Sequence, residues 1–358
     1  MSLLLPFIFP LLFQGQGPLN LPVSETWKDS TDNHIQKLIN HSEIEGISLA
    51  LLKEDGEIST FSHGIKNKNE DSRIDKSTVF EAASLSKPVF SYLVLQLRNE
   101  GIIDLDRPLY QYLSNPDLQD EKRYEKITAR MVLSHSTGLP NWRQNDNLYL
   151  QFSPGSSFSY SGEGFMYLQA VVEKLTGQEL ESLVQERVFN PLGMRSSTYV
   201  WADTLSPVLA LGHDRQGKQR SKWTPETAWS AGSLHTTVID YAIFLRALFN
   251  DQEMLNEMVT PQIALDGYAG PVEWGLGVGL QNKDDDLSFW HWGSNGGYKA
   301  FVIGYPASKK AMVYLTNSDN GLEVLGDLTC RFFDGPNYAF AYLKEAYRYP
   351  VEVECPNN

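Results

Sequence analysis

β-Hairpin patterns occur near both ends of this chain, and helical patterns fill much of the middle. The stretch "GISLALLKEDGEISTFSHG" holds two β-rich runs around Asp55-Gly56, a dipeptide typical of tight hairpin turns. The stretch "KAFVIGYPASKKAMVYLTN" repeats the pattern, with Pro306 to Lys309 at its turn. A sheet must bury its apolar faces, and helices packed on them do so. The sequence therefore predicts an α/β (α+β) fold, with an antiparallel sheet from the N- and C-terminal segments, flanking helices and a mostly helical middle lobe.

The length of 358 residues is too great for one small core. We predict a single catalytic unit over residues 21–358. Its α/β lobe would comprise about 21–100 and 241–358, and its helical lobe about 101–240. A cleft between two such lobes is a favoured place for a ligand site.

The N-terminal stretch "MSLLLPFIFPLLFQGQG" is apolar from Leu3 to Phe13, which is the length of a signal-peptide core and too short to span a bilayer. No Lys or Arg precedes the run, and no small-residue cleavage motif follows it. Residues 1–20 are therefore either a signal peptide or an N-terminal arm. We expect a secreted or periplasmic protein, with a cytoplasmic location as the alternative, and no stable membrane span.

Charge and cysteine content argue against several function classes. The net charge is −14 and no basic stripe is present, so nucleic acid is a poor partner. The two cysteines, Cys330 and Cys355, cannot form a metal-binding pattern, and a disulfide between them stays an open question. No Walker loop, dinucleotide fingerprint or G-x-S-x-G elbow occurs. We expect no metal and no cofactor.

The stretch "FEAASLSKPVF" places Ser84 three residues before Lys87. Apolar residues then follow at helical spacing, so Ser84 lies near a helix N-terminus and Lys87 one turn further on the same face. A serine hydroxyl is a weak nucleophile that needs an adjacent base, and a neutral lysine can serve. A helix-capping serine followed by a surface lysine would give the same pattern, so this motif needs support from elsewhere in the chain.

Three further stretches supply that support: "LSHSTGLPNW" (133–142), "FSPGSSFSYSGEGF" (152–165) and "FWHWGSNGGYKAFV" (289–302). With the Ser-x-x-Lys motif they resemble the serine β-lactamase and penicillin-binding protein superfamily, in its class C-like branch. That branch includes DD-peptidases, family VIII esterases and CubicO-type hydrolases. "NPLGM" (190–194) and "SAGSLHTTVIDYAIF" (230–244) are also similar to this family, and the resemblance runs in family order from about residue 45 to 318.

The resemblance implies catalytic roles for four residues. Ser84 matches the acylated nucleophile and Lys87 its base. Tyr160 matches the tyrosine of the Y-x-N element, which moves a proton to the leaving group and helps activate the deacylating water. His291 matches the first position of the K-T-G or H-x-G element.

The predicted substrate-binding residues are Ser161, Trp292, Gly293 and Ser294. The backbone N–H groups of Ser84 and Ser294 would form the oxyanion hole, and Gly293 would leave its strand bare for a substrate carbonyl. His135 is expected to fix a loop beneath the site.

Three positions depart from the family pattern. Gly162 replaces the asparagine of Y-x-N, which makes efficient β-lactam hydrolysis doubtful and resembles some esterases. His291 replaces a lysine, so we expect a weaker, pH-sensitive anchor for a substrate carboxylate. Trp292 is bulky and either narrows the cleft or packs outward. Trp142 and Tyr298 either line the pocket or pack elsewhere.

The sequence thus predicts a metal-independent serine hydrolase that forms an acyl-enzyme on Ser84. Its small-molecule or peptide substrate would be an ester, an amide, a D-amino-acid peptide or a β-lactam. The alternative is a penicillin-binding sensor or scaffold that acylates without turning over.

Overall fold

The computed structural model describes residues 25–145, 147–267, 271–283, 286–333 and 338–351. Both the N-terminal apolar run and Cys355 lie outside the described residues. Within them, the helices are α1 Glu25–His41, α2 Ser86–Asn99, α3 Ala129–Leu133, α4 Gly162–Thr176, α5 Leu180–Val184, α6 Asn190–Leu192, α7 Val238–Asn250, α8 Gln252–Met258, α9 Leu325–Phe332 and α10 Tyr338–Tyr347. None of these helices is long and apolar enough to cross a membrane.

The strands in the same part of the chain are β1 Gly46–Leu52, β2 Ile58–Asn67, β3 Ser72–Arg73, β4 Phe80–Ala83, β5 Leu234–Thr236, β6 Ile263–Ala264, β7 Val272–Trp274, β8 Gly279–Lys283, β9 Asp286–Asn295, β10 Tyr298–Tyr305 and β11 Lys310–Thr316. Nine of them form one sheet in the order β3-β2-β1-β11-β10-β9-β8-β7-β6, and β4 pairs with β5 separately. The antiparallel pairing of β1 with β11, from Ile47↔Thr316 to Leu52↔Ala311, joins the two ends of the chain. The predicted fold class is therefore confirmed.

Both faces of the sheet are buried, because successive side chains of a strand point to opposite faces. In β1, Leu49 and Leu51 join a core with α1, α9 and α10. Ala50 and Leu52 join a second core, which is shared with α2, α4, α7 and α8. This second core extends from the sheet to the helices in the middle of the chain. The predicted site residues lie where the sheet and these helices meet. The proposed lobe boundaries remain a prediction.

Two helices differ from their sequence patterns. The stretch "MYLQAVVEKLTG" (166–177) has a helical pattern, and α4 begins four residues before it, at Gly162, because the Ser161 side chain caps the helix there. The stretch "LESLVQERVF" (180–189) also has a helical pattern, but its helix is regular only to Val184 and continues as a π-helical turn over Gln185–Phe189. Pro191 follows closely and has no N–H to donate to the preceding turn.

Candidate active site

Ser84 lies in a two-residue turn between β4 and α2. Ala83, immediately before it, has a φ of +49°, which is uncommon for a residue other than glycine. The Ser86 hydroxyl donates to the Ala83 carbonyl at 2.6 Å and closes the turn. Backbone strain of this kind clusters at functional sites, where the surrounding structure maintains it.

Lys87 is buried beneath Ser84, with 1% of its surface exposed. Its Nζ lies 3.2 Å from Ser84 Oγ and donates to the Ala231 carbonyl at 2.6 Å. Burial lowers the pKa of Lys87 from its usual 10.5 to about 7, because a desolvated ammonium is unfavourable. A substantial fraction of Lys87 is therefore neutral at pH 7 and can accept the Ser84 proton.

If Lys87 is the base that activates Ser84 for ester hydrolysis, kcat/KM for a neutral ester should rise with pH and level off above about pH 7. The base must be unprotonated, and kcat/KM reports the pKa of the free enzyme, about 7 for Lys87. Below that value the rate should fall about tenfold per pH unit. The measurement is a pH–rate profile from about pH 5 to 9, and a flat profile would contradict the assignment of Lys87 as base.

Glu81 provides the control for this profile. Burial raises the pKa of its carboxyl to about 7 as well, against the opposing hydrogen bond from Asn295. The Glu81→Gln variant should keep the rising limb if Lys87 is responsible for it. Loss of the limb in that variant would reassign the titration to Glu81.

Tyr160 packs beside Lys87, whose Nζ lies 4.8 Å from the centre of the phenol ring. The hydroxyl makes no well-formed hydrogen bond with the described residues. Burial raises the pKa of Tyr160 well above 10, and proximity to Ser84 offsets this only in part. Tyr160 thus keeps its proton while Lys87 readily loses one. Neighbouring groups whose pKa values are pushed apart in this way suit an acid and a base.

His135 positions the turn that carries Tyr160. Its Nδ1 accepts the Ser161 N–H at 3.0 Å, and its ring centre lies 4.2 Å from that of Tyr160. The structural role expected for His135 agrees with this geometry. Ser161 differs from its predicted role in substrate binding: it is 1% exposed, and its hydroxyl accepts the Gly164 N–H and donates to the Pro140 carbonyl. Its side chain is used to cap α4.

β9 passes directly over β4 at Gly293. A Cβ atom there would lie 2.4 Å from the Ala82 carbonyl oxygen, so close strand packing requires glycine at this position. This differs from the reason inferred from the sequence, which was access for a substrate. Ser294 follows and pairs with Lys299 of β10. The two segments that carry the predicted oxyanion donors, Ser84 and Ser294, are thus in contact through Ala82 and Gly293.

His291 is fully buried, and its Nδ1 donates to the Trp292 carbonyl at 2.7 Å. Burial, aided by Lys87, lowers the pKa of His291 to about 3. It is therefore neutral at physiological pH, which contradicts the pH-sensitive carboxylate anchor expected from the sequence. Its Nε2, the Nε2 of His135 and the Tyr160 hydroxyl are buried without a hydrogen-bond partner among the described residues. Such groups require an explanation, and a bound substrate or water would provide one.

Trp292 packs against Tyr160 within the core that the sheet shares with α10. It is 3% exposed, and its ring centre lies 4.8 Å from that of Tyr160 and 4.9 Å from that of Tyr347. Tyr347 also contacts Tyr160, at 6.4 Å between ring centres. The sequence analysis missed Tyr347, because no pattern in the C-terminal segment indicates that it returns to the site.

Two aromatic residues that the sequence left open are now placed. Tyr298 is 1% exposed, and its hydroxyl donates to the Ala210 carbonyl at 2.8 Å, so it belongs to the core. Trp142 is 44% exposed and contacts Trp229, which was also missed. Within the described residues, no group of three or more His, Cys, Asp or Glu side chains could hold a metal ion.

Comparisons with known proteins agree with this architecture. The chain is 24% identical over 320 residues to penicillin-binding protein 4 of Amycolatopsis lactamdurans, covering 80% of this chain and 84% of that protein. It is 25% identical over 304 residues to penicillin-binding protein 4* of Bacillus subtilis (strain 168), covering 73% and 66%. Among solved structures, an octameric penicillin-binding protein homologue from Pyrococcus abyssi superposes with a TM-score of 0.75 at 21% identity, covering 85% of this chain and 77% of that one.

A sequence model described as Beta-lactamase matches residues 31–328, which is most of the chain. A class C β-lactamase also superposes with a TM-score of 0.75 at 18% identity, covering 86% of this chain and 97% of the other. The chain therefore belongs to the Beta-lactamase family and has the fold shared by β-lactamases and penicillin-binding proteins.

Proposed function

We propose that this protein is a serine hydrolase that cleaves a neutral carboxylic ester through an acyl-enzyme on Ser84. The observation that carries the proposal is the buried Lys87, whose Nζ lies 3.2 Å from Ser84 Oγ and whose pKa burial lowers to about 7. A nucleophile within hydrogen-bond reach of a base is the arrangement that covalent catalysis requires.

In acylation, Ser84 Oγ attacks the ester carbonyl carbon and its proton passes to Lys87 Nζ. The N–H groups of Ser84 and Ser294 would stabilise the oxyanion. The bond to the leaving oxygen then breaks, and that oxygen takes a proton from Tyr160, which Lys87 reprotonates. Each donor in an oxyanion hole is typically worth roughly 10²–10³ in kcat.

In deacylation, water attacks the acyl carbonyl carbon and transfers a proton to neutral Lys87. The bond to Ser84 Oγ breaks, and Oγ recovers a proton from the Lys87–Tyr160 pair. The free acid leaves and the enzyme returns to its starting protonation state. No group outside Ser84, Lys87, Tyr160 and water is needed to balance either step.

A neutral substrate is favoured because the Tyr160 side of the site is lined by uncharged groups. His291 is neutral where the family has a lysine, and Trp292 and Tyr347 pack against Tyr160. A substrate carboxylate placed there would lose its hydration without gaining a cationic partner. These features argue against C-terminal D-peptides and for esters.

A second candidate is a penicillin-binding sensor that acylates without turning over. The cover of Trp292 and Tyr347 over Tyr160 favours it, since it restricts the approach of water to the group that would pass protons in deacylation. Like the hydrolase, the sensor requires acylation of Ser84.

One experiment separates these functions. Intact-protein mass is followed after mixing with p-nitrophenyl acetate or benzylpenicillin, for the wild type and for Ser84→Ala. The hydrolase predicts many turnovers of the ester, with a transient acyl adduct on the peptide containing Ser84. A persistent penicilloyl adduct without ester turnover would support the sensor. Ester turnover that is equal in Ser84→Ala would overturn the hydrolase, and a penicilloyl adduct that also forms on Ser84→Ala would overturn the sensor.

A further inference from the structure

We propose that Trp142 and Trp229 form an indole platform that binds an aromatic acyl group of the substrate. This inference rests on the proposed function and adds the class of the acyl substituent. Among the described residues, three large hydrophobic side chains are exposed to solvent: Trp142 at 44%, Tyr149 at 45% and Trp229 at 40%. Two of these three are in mutual contact, with ring centres 6.1 Å apart.

The platform lies on the acyl side of Ser84. Along β9, Trp292 packs on Tyr160, the proposed donor to the leaving group, and Ser294 follows with its oxyanion N–H. Asn295 comes next and donates from its amide to the carbonyl of Gly232, in the turn that carries Trp229. On this arrangement we place the leaving group on the Trp292 side of Ser84 and the acyl substituent beyond Ser294, on the side of the turn that carries Trp229.

The turn of Trp229 is tied directly to the catalytic lysine. Its backbone N–H donates to Ser233 Oγ at 2.9 Å, and its carbonyl accepts the Gly232 N–H at 3.0 Å. Two residues on, the Ala231 carbonyl accepts from Lys87 Nζ at 2.6 Å. The backbone that carries the indole is thus held at a fixed position relative to Lys87, which lowers the cost of ordering this surface when a ligand binds.

Trp142 is held between two residues that bind the start of α4. The Asn141 carbonyl accepts the Gly162 N–H at 3.0 Å, and Arg143 pairs with Glu163 at 2.8 Å. An exposed tryptophan on a loop anchored at both sides is a preformed contact surface. Packing within the protein does not explain it, because nearly half of its surface remains open to solvent.

Gly162 provides the space for this indole. A Cβ atom at Gly162 would lie 2.8 and 2.9 Å from ring atoms of Trp142 and 2.8 Å from the Asn141 carbonyl oxygen. Real Cβ atoms do not approach so closely, so any side chain here would displace the ring or the loop. The position that the resemblance assigns to the asparagine of Y-x-N is thus covered by an aromatic surface.

The surroundings favour an aromatic ring over a long alkyl chain. Flat π faces contribute about 0.5–1.5 kcal/mol per ring pair beyond area burial. Trp223 contacts Trp229 at 5.7 Å and borders an open cavity of about 520 Å³. Glu81, Lys218 and Arg220 line that cavity. A long chain running past the indoles would meet these charged groups, whereas an arylacetyl group would end on the platform.

The test compares p-nitrophenyl esters that share one leaving group and differ in the acyl group: acetyl, phenylacetyl and octanoyl. We expect wild type to prefer phenylacetyl by kcat/KM. In Trp142→Ala and Trp229→Ala the phenylacetyl-to-acetyl ratio should fall roughly tenfold, as for other apolar pocket contacts. Trp142→Phe should restore part of the ratio. Tyr149→Ala removes an equally exposed ring elsewhere and should leave the ratio unchanged.

The possible outcomes test the indole platform and the proposed function separately. If wild type hydrolyses the acetyl ester in a Ser84-dependent way but neither tryptophan variant changes the ratio, the platform is wrong and the proposed function stands. If octanoyl exceeds phenylacetyl, the aromatic class is wrong. If no ester is hydrolysed, binding of phenylacetate is measured by quenching of tryptophan fluorescence. Equal quenching in wild type and Trp142→Ala would then show that the platform is wrong.

Discussion

Replacing Ser84 with alanine is expected to lower ester kcat/KM roughly 10⁴-fold or more, as the loss of a nucleophile does in other serine hydrolases. Without Oγ no acyl-enzyme can form, and Lys87 has no proton to accept. Thermal stability should change little, since Ser84 is partly exposed and lies in a turn that the Ser86 hydroxyl closes. Steady-state kinetics with p-nitrophenyl acetate and a thermal melt measure both quantities.

Ser91 offers a matched control on the same helix. It is buried one turn beyond Lys87, and its hydroxyl donates to the Lys87 carbonyl at 2.8 Å. Ser91→Ala should keep most of the activity and lose some stability, about 1 kcal/mol for one hydrogen bond. An equal loss of activity in both variants would indicate that disturbance of α2, and not loss of the nucleophile, explains the Ser84 result.

The hairpins and the Ser84–Lys87 pair were predictable because their signals are local. Strand alternation, the Asp55-Gly56 turn and helical spacing after Lys87 each depend on a few neighbouring residues. The positions of Tyr160 and His291 followed from a family pattern. The relation of His291 to Ser84 depends on the packing of β9 on β4, and that of Tyr160 on the turn that His135 positions before α4. No single segment encodes either arrangement.

Other properties of the site depend on burial, which local sequence does not specify. The pKa of His291 falls to about 3 mainly because the assembled core desolvates it, and the nearby Lys87 lowers it further. Ser161 could bind a substrate or cap a helix, and the start of α4 at Gly162 decides for the cap. Tyr347 reaches Trp292 through the packing of α10 on the sheet, beyond the region matched by the family at 31–328. Contacts between distant segments therefore account for most of what the sequence missed.

Replacing Lys87 with methionine is expected to lower ester kcat/KM by roughly 10³–10⁴-fold, within the range of general-base contributions. The variant should also melt at a higher temperature at pH 7. The folded-state pKa of Lys87 is about 7 against a usual 10.5, so the unfolded chain binds more protons between these values. The free energy of unfolding of the wild type therefore rises as the pH increases from about 7 to 10.5. The cost of burying the charged ammonium of Lys87 is greatest below about pH 7. Methionine fills similar space without that penalty.

Lys299 separates a catalytic lysine from a merely buried one. It is 7% exposed, and its Nζ pairs with Asp319 at 2.7 Å. Lys299→Met would leave Asp319 without this partner, so it should lower the melting temperature and keep most of the turnover. Lys87→Met should instead raise the melting temperature and remove most of the turnover. A Lys87→Met protein that melts earlier and loses activity only in proportion to unfolding would show that Lys87 serves the fold and that another group deprotonates Ser84.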